Sequence, residues 1–326
     1  VQSTPLAIAP DFAELEQYRG ALTGYCYRML GSPFDAEDAV QEAFTRAWRA
    51  RDKFEGRAAV RSWLYRIATN VCLDQLKGSE RRARPMDLGP ATEPLEKNLS
   101  WRDDKRWIEP IPETMVAAEP DPADRAVERE SIRLAFVAAL QKLPARQRAV
   151  LIFREVLRWE ASEVAELLDS SVASVNSSLQ RARATLAKSN VSPDDRTPSL
   201  NKADRALLER YVAAFERYDL GALTALLRED AFQSMPPFDM WLRGRDDVLA
   251  WWFGPGIACR GSRVIPTVSA NGSPAFGQYK PAADGGHDPW ALQVVELSNG
   301  RIGEITFFLD TVRLFPLFGL PPRLDA

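Results

Sequence analysis

Residues 175–186 read VNSSLQRARATL: two serines, a glutamine and two arginines set among apolar residues at helical spacing. Val172, Val175, Leu179 and Leu186 read as the buried side of that helix. The remaining side offers Asn176, Ser177, Ser178, Gln180, Arg181 and Arg183. Arginine pairs with phosphate or guanine edges, and Asn and Gln side chains read adenine. A helix that merely meets water shows the same polarity, so its surroundings decide. Just upstream, "SEVAELLDS" (162–170) predicts a second short helix, with Ala165 where close packing is needed. "DSS" then joins the pair at the span of a helix-turn-helix. No acid occurs between Ser170 and Lys188, and residues 125–189 hold eleven basic against seven acidic residues. DNA readers place their recognition element on the second helix of such a pair. Ser171, Ser174, Ser177 and Ser178 suit contact with backbone phosphates.

The rest of the 326-residue chain has room for two or three domains. Its 45% hydrophobic and 27% charged composition is that of a globular protein. No apolar run approaches the roughly 18–20 residues that span a membrane. Cys26, Cys72 and Cys259 are scattered, odd in number and in no CxxC pairing, which argues against a disulfide framework or zinc site and fits the cytoplasm. With His287 the single histidine, a multi-histidine metal site is excluded and no cofactor is expected. The net charge of −3 does not itself suggest nucleic acid; its distribution does.

Four segments follow from pattern. The first segment, 1–83, is predicted helical over residues 12–82: "DAEDAVQEAFTRAWRARDKF" has Asp35 as an N-cap with Glu37 and Asp38 in the first turn. "RSWLYRIATNVCLDQLK" buries Leu64, Ile67, Ala68 and Val71. Residues 84–124 carry seven prolines and ten acidic against five basic residues, the reading of a linker. Unrestrained, its 41 residues span roughly 35 Å, about one DNA turn. Residues 125–189 return to helix, and 190–199 form a second linker. Residues 200–326 change character: two helices, one more at "DDVLAWWF", and strand-like runs at "AFQSM", "MWLRG", "SRVIPTVSA", "PAFGQYK", "WALQVVEL" and "RIGEITFFLD". "SNGR" between the last two reads as a hairpin turn, and the whole as an α+β layout with a curved, mostly antiparallel sheet.

"DAEDAVQEAFTRAW" (35–48) and "RSWLYRIATNVCLDQLK" (61–77) resemble region 2 of the extracytoplasmic-function (ECF) sigma factors. "LPARQRAVLIFREVLRWEASEVAELLDSSVASVNSSLQRARATL" (143–186) resembles their region 4. Residues 200–326, ending in "FLDTVRLFPLFGLPPRL", resemble the SnoaL-like (NTF2-like) extension of the branch with SigG and SigJ types. The resemblance implies a multidomain fold: two all-α sigma domains, a region 2 bundle and a region 4 helix-turn-helix, plus an α+β SnoaL/NTF2-like cone. It implies that Asp35, Asp38, Gln41, Glu42 and Arg49 dock on the β′ clamp helices of core RNA polymerase, with the β flap a further contact. Asn70 and the loop "FEGRAAVRS" would hold a base extruded from the −10 element, with Arg66, Lys77, Arg81 and Arg82 on phosphates. Trp63 reads as core. The helix at 172–187 would contact the −35 element of promoter DNA. The acidic linker is either a bare spacer or a strand threading the polymerase cleft.

For the C-terminal domain the resemblance implies regulation in cis, through intramolecular contact with the sigma domains. The terminal "LFPLFGL" is the preferred contact element. Phe232, Met235, Trp241, Trp252 and Tyr279 are candidates for lining a pocket, with any small-molecule ligand left open. Two other readings compete. A ligand-sensing helix-turn-helix regulator explains residues 125–326 but not the first 82. A SnoaL-type enzyme would draw on Asp219, Asp230, Asp239, Tyr279 and His287, which sit in no spacing that demands catalysis.

Overall fold

The computed structural model describes residues 12–54, 60–116, 132–188 and 200–325. The chain divides into two compact units, Val1–Arg82 with Ile108–Arg196, and Ala83–Trp107 with Thr197–Ala326. The first is helical: α1 Phe12–Glu16, α2 Arg19–Leu30, α3 Pro33–Ala50, α4 Val60–Leu76, α5 Leu134–Gln141, α6 Ala145–Leu151, α7 Ala161–Leu167 and α8 Val172–Ala187. A π-helical stretch, Ile152–Val156, continues α6. α3 starts three residues earlier than the sequence reading has it. Ser32, not Asp35, is the cap: its hydroxyl accepts from the Asp35 backbone N–H at 3.3 Å, and Pro33 fills the first position, where no N–H is needed.

One core serves both helical blocks. Tyr25 of α2 lies 5.4 Å from Tyr65 of α4 and 5.0 Å from Phe153, and Trp159 lies 5.3 Å from Tyr65 and 5.0 Å from Phe153. Arg148 is buried with them and closes the ends of two helices. Its guanidinium donates to the Met29 carbonyl, to Gln141 Oε1 (2.6 Å), and to the Gln141 and Leu143 carbonyls (3.1 and 3.2 Å). Burial pushes its pKa down to about 10. Trp63 is only half-buried, packed on Phe54 at 5.1 Å.

The second unit holds α9 Lys202–Arg217, α10 Leu220–Leu226, β1 Leu227–Ser234, β2 Trp241–Arg243, α11 Arg245–Phe253, β3 Arg263–Pro266, β4 Ala275–Pro281, β5 His287–Ser298, β6 Arg301–Phe308 and α12 Thr311–Leu317. The strand order is β2-β1-β6-β5-β4-β3, antiparallel except for the parallel β1–β6 pair. The β5–β6 turn needs two left-handed residues, and Asn299 (φ 53°) with Gly300 (φ 69°) supply them. α9, α10 and α11 close the sheet into a cone around Tyr211, Phe215, Trp252, Val295 and Ile305.

Two expectations change here. The segment read as one linker divides at 107/108: Ile108, Ile111 and Val116 are buried in the helical unit, while Leu99 packs on the C-terminal core. The "LFPLFGL" tail is not a free docking element. Leu314, Phe315, Phe318 and Leu320 are buried in their own unit; Phe315 stacks edge-on against Tyr279 at 5.1 Å, and Thr267 Oγ1 donates to the Phe318 carbonyl at 2.6 Å.

Candidate functional site

α8 presents the face that its sequence promises. Val175, Leu179, Ala182 and Leu186 are buried, and the Ser171 hydroxyl caps the helix by accepting from the Ser174 N–H at 3.1 Å. Ser174, Asn176, Ser177, Gln180, Arg181 and Arg183 are exposed, and Ser178 is half-buried. Val172 is a correction: at the open first turn it is 45% exposed rather than core. Arg181 donates to the Ser177 and Ser178 hydroxyls at 2.8 and 3.3 Å, which holds its guanidinium along the polar face. Arg183 points away from it, in an ion pair with Glu155.

The polar residues of α4 are more engaged. Arg66 reaches the C-terminal end of α7, donating to the Glu166 and Leu167 carbonyls (2.5 and 3.2 Å) and to Asp169 (2.9 Å). Arg81 donates to the Lys142 carbonyl at 3.2 Å, and Lys77 pairs with Asp74 at 2.7 Å. Asn70 is exposed, in an open hollow with Arg46, Leu73, Lys77 and Arg146. The loop "FEGRAAVRS" falls largely outside the described residues.

On α3, Asp38, Gln41 and Arg49 are exposed and Glu42 pairs with Arg46 at 2.7 Å. Sequence reasoning missed Trp48 on this helix, 45% exposed with the Arg51 guanidinium 3.7 Å over its ring. Asp35 lies apart from the open face. It bonds Arg82 at 2.7 Å, and Arg82 also bonds Glu109 at 3.3 Å. Two residues assigned to different partners thus hold each other.

The cone of the second unit contains a cavity of about 180 Å³. Met235 and Trp252 line it as expected, with Phe215, Gln233, Phe238 and Lys280. Phe232, Trp241 and Tyr279 do not. Trp241 instead donates from Nε1 to the Gly89 carbonyl at 2.9 Å, and the buried Tyr279 donates to the Pro321 carbonyl at 2.9 Å. Glu96 and Leu99 complete the lining from the 83–107 segment, a contribution that sequence reading could not see. The carboxylates weighed for catalysis lie elsewhere: Asp219 caps α10, Asp230 pairs with Arg228 at 2.7 Å, and Asp239 pairs with Arg102 at 3.2 Å. His287 is half-buried outside the cavity, its ring 3.2 Å from the Gly261 carbonyl. Among the described residues no three His, Cys, Asp or Glu side chains gather as metal ligands, and no helix is long and apolar enough to cross a membrane.

The Sigma-70 region 2 family matches residues 15–82, and the Sigma-70, region 4 family matches residues 133–186. The ECF RNA polymerase sigma factor SigG of Mycobacterium tuberculosis (strain ATCC 25618 / H37Rv) is 44% identical over 319 residues, covering 96% of this chain and 85% of that protein. The chain belongs to the ECF RNA polymerase sigma factor family. Region 2 is therefore α2–α4 and region 4 is α5–α8. The crystal structure of the M. tuberculosis ECF sigma factor SigJ matches this sigma factor across 95% of its length and the whole of that chain, at TM-score 0.60 and 21% identity. That likeness extends the shared fold to the C-terminal α+β unit.

Proposed function

We propose that this sigma factor binds core RNA polymerase through the outer face of α3, at Asp38, Gln41 and Arg49, and reads promoter DNA with α4 and α8. The reading rests on one observation above the rest. The polar face of α8 is free of acidic residues and exposed along its length, while its apolar face is buried in a helix-turn-helix. Ser177, Gln180 and Arg181 sit near the centre of that face, with Ser171 and Ser174 at the helix start suited to phosphates. Asn70 is the exposed amide for the −10 element. Residues 200–326, with the linker portion docked on them, regulate these activities in cis.

The test is run-off transcription with purified core polymerase and a promoter bearing paired −35 and −10 elements. The full-length protein forms a complex with core enzyme and starts transcription. Asn70→Ala retains the complex and loses open-promoter formation, whereas Gln180→Ala and Arg181→Ala lose affinity for the −35 element. Absence of any complex with core enzyme refutes the reading.

A further inference from the structure

α6 and α8 border an open hollow of about 430 Å³ in the helical unit. Arg146 and Gln147, in the first turn of α6, contribute to its lining, as do Ser174, Ser178 and Arg181 of α8. Arg181 thus belongs both to this hollow and to the exposed polar face of α8. That face continues onto α6.

The hollow is rich in donors. Arg146 and Arg181 are exposed, and among the described residues neither has a carboxylate partner. Other arginines of the same unit do: Arg183 pairs with Glu155, Arg154 with Glu160 and Arg66 with Asp169. A guanidinium carries five N–H donors. Arg181 donates to the Ser177 and Ser178 hydroxyls, and Arg146 to the Leu168 carbonyl at 2.7 Å. Both keep donors in reserve, and the half-buried Gln147 adds an amide NH₂. The negative groups close by are already engaged. Asp169, the acid on the lining, bonds Arg66 at 2.9 Å. The carbonyls that end α7 are taken as well, Glu166 and Leu167 by Arg66 and Leu168 by Arg146.

The place of the hollow selects the anion. Ser174, Ser178 and Arg181, four and then three residues apart, form one flank of α8. A helix with its side chains is about 10–12 Å across and the major groove about 12 Å wide, so a helix seated there has backbone phosphates close along its flanks. Being open, the hollow admits a phosphate held within a chain, and arginine meets phosphate through two parallel N–H bonds.

We propose that the DNA-binding surface of region 4 extends from α8 to the start of α6, where Arg146 and Gln147 form with Ser174, Ser178 and Arg181 a seat for one backbone phosphate of the −35 element. The proposal rests on the reading of α8 as the −35 helix and deepens it. Arg181 becomes a phosphate contact, and base discrimination falls to the amides of Asn176 and Gln180.

The experiment measures promoter binding by the complex of core polymerase with the full-length protein. Each phosphate along the −35 element is replaced in turn by a neutral methylphosphonate. One linkage is expected to weaken binding by the unaltered protein about tenfold. At that same linkage Arg146→Ala and Arg181→Ala are expected to be insensitive, because the contact is already gone. Both variants weaken matched and scrambled −35 sequences by the same factor. Gln147→Lys, which leaves the Arg146 bond to α7 in place, raises the salt slope by about one unit. Should Arg146→Ala fail to fold, Gln147→Lys decides, and an unchanged slope overturns the proposal. A complex that binds promoter yet shows no linkage silenced by both arginine variants overturns it too, as does altered −35 preference in Arg146→Ala. Failure of the unaltered complex to bind any promoter refutes the −35 reading itself, and the proposal with it.

Discussion

Replacing Arg148 by Met tests how the two helical blocks are held in one unit. The substitution keeps an unbranched apolar stem and removes the donors for three backbone carbonyls, of Met29, Gln141 and Leu143, and for Gln141 Oε1. Each buried acceptor left without a donor costs about 1–3 kcal/mol. Part of that is offset because a guanidinium no longer has to be held out of water. The net expectation is a loss of about 3 kcal/mol, a large share of the roughly 5–15 kcal/mol that stabilises a domain. With a urea dependence of about 2 kcal/mol per molar, the midpoint of the helical unit falls by about 1.5 M, read by far-ultraviolet circular dichroism. Arg148→Lys, which keeps the charge but not the two-pronged reach, loses about half as much. A midpoint shift under about 0.3 M for Arg148→Met would refute the assignment of Arg148 as the tie between α2 and the α5–α6 corner.

On α8, Arg181→Ala reduces the salt dependence of promoter binding by about one unit if its contact is to phosphate, whereas Arg183→Ala changes it less, because Arg183 is already paired with Glu155. Filter binding of the polymerase complex across a salt series distinguishes the two, and equal slopes contradict the assignment. Arg102→Ala breaks the ion pair to Asp239, loosens the docked segment and raises run-off transcription; unchanged transcription would separate segment docking from activity. Cys259 is the least buried of the three cysteines, and burial pushes its thiol above the ordinary value of 9.0. Its thiolate therefore forms late, so alkylation by iodoacetamide is slower than for free cysteine at pH 8 and still climbing above pH 9. A plateau below pH 9 would contradict that burial.

What the sequence discloses depends on whether local pattern or distant packing decides. α8 was legible because its buried residues recur with the helical period, and the β5–β6 hairpin because Asn299 and Gly300 tolerate left-handed backbone. Val172 misleads because a helix's first turn can project past the surface its later turns cover. Arg148 counts as one more positive charge in a basic segment, and nothing local marks it as buried against two helix ends. The acidic, proline-rich stretch reads as a spacer because proline forbids helix. Proline does not forbid extended chain beside the exposed edge of a sheet, and β2 offers that edge. Among the aromatics of the cone, periodicity places each in a strand or helix. It cannot tell whether a ring turns into the cavity, as Trp252 does, or onto the tail, as Tyr279 does.

The same distinction orders the cations around α4, and it bears on how DNA would be engaged. Lys77 and Asp74 form an exposed pair, with side chains 77% and 50% accessible. Such a pair contributes at most about 1 kcal/mol, so a phosphate can replace the carboxylate with little loss. Arg82 differs. Its side chain is 9% exposed between Asp35 and Glu109, and withdrawing it would break both ion pairs at partly buried carboxylates. Arg66 stands between these cases, exposed enough to be reached yet bonded to the carbonyls that end α7. Turning Arg66 to phosphate would remove a cation from the negative end of that helix, so the proposed DNA contact would require region 4 to loosen from region 2. Reach imposes the same demand, since promoter elements about two DNA turns apart cannot both be met while α4 and α7 remain packed together. On the proposed reading of Arg66 as a phosphate contact, the arginine that grips DNA is also one that holds α4 against α7, and promoter binding would be coupled to opening of the helical unit.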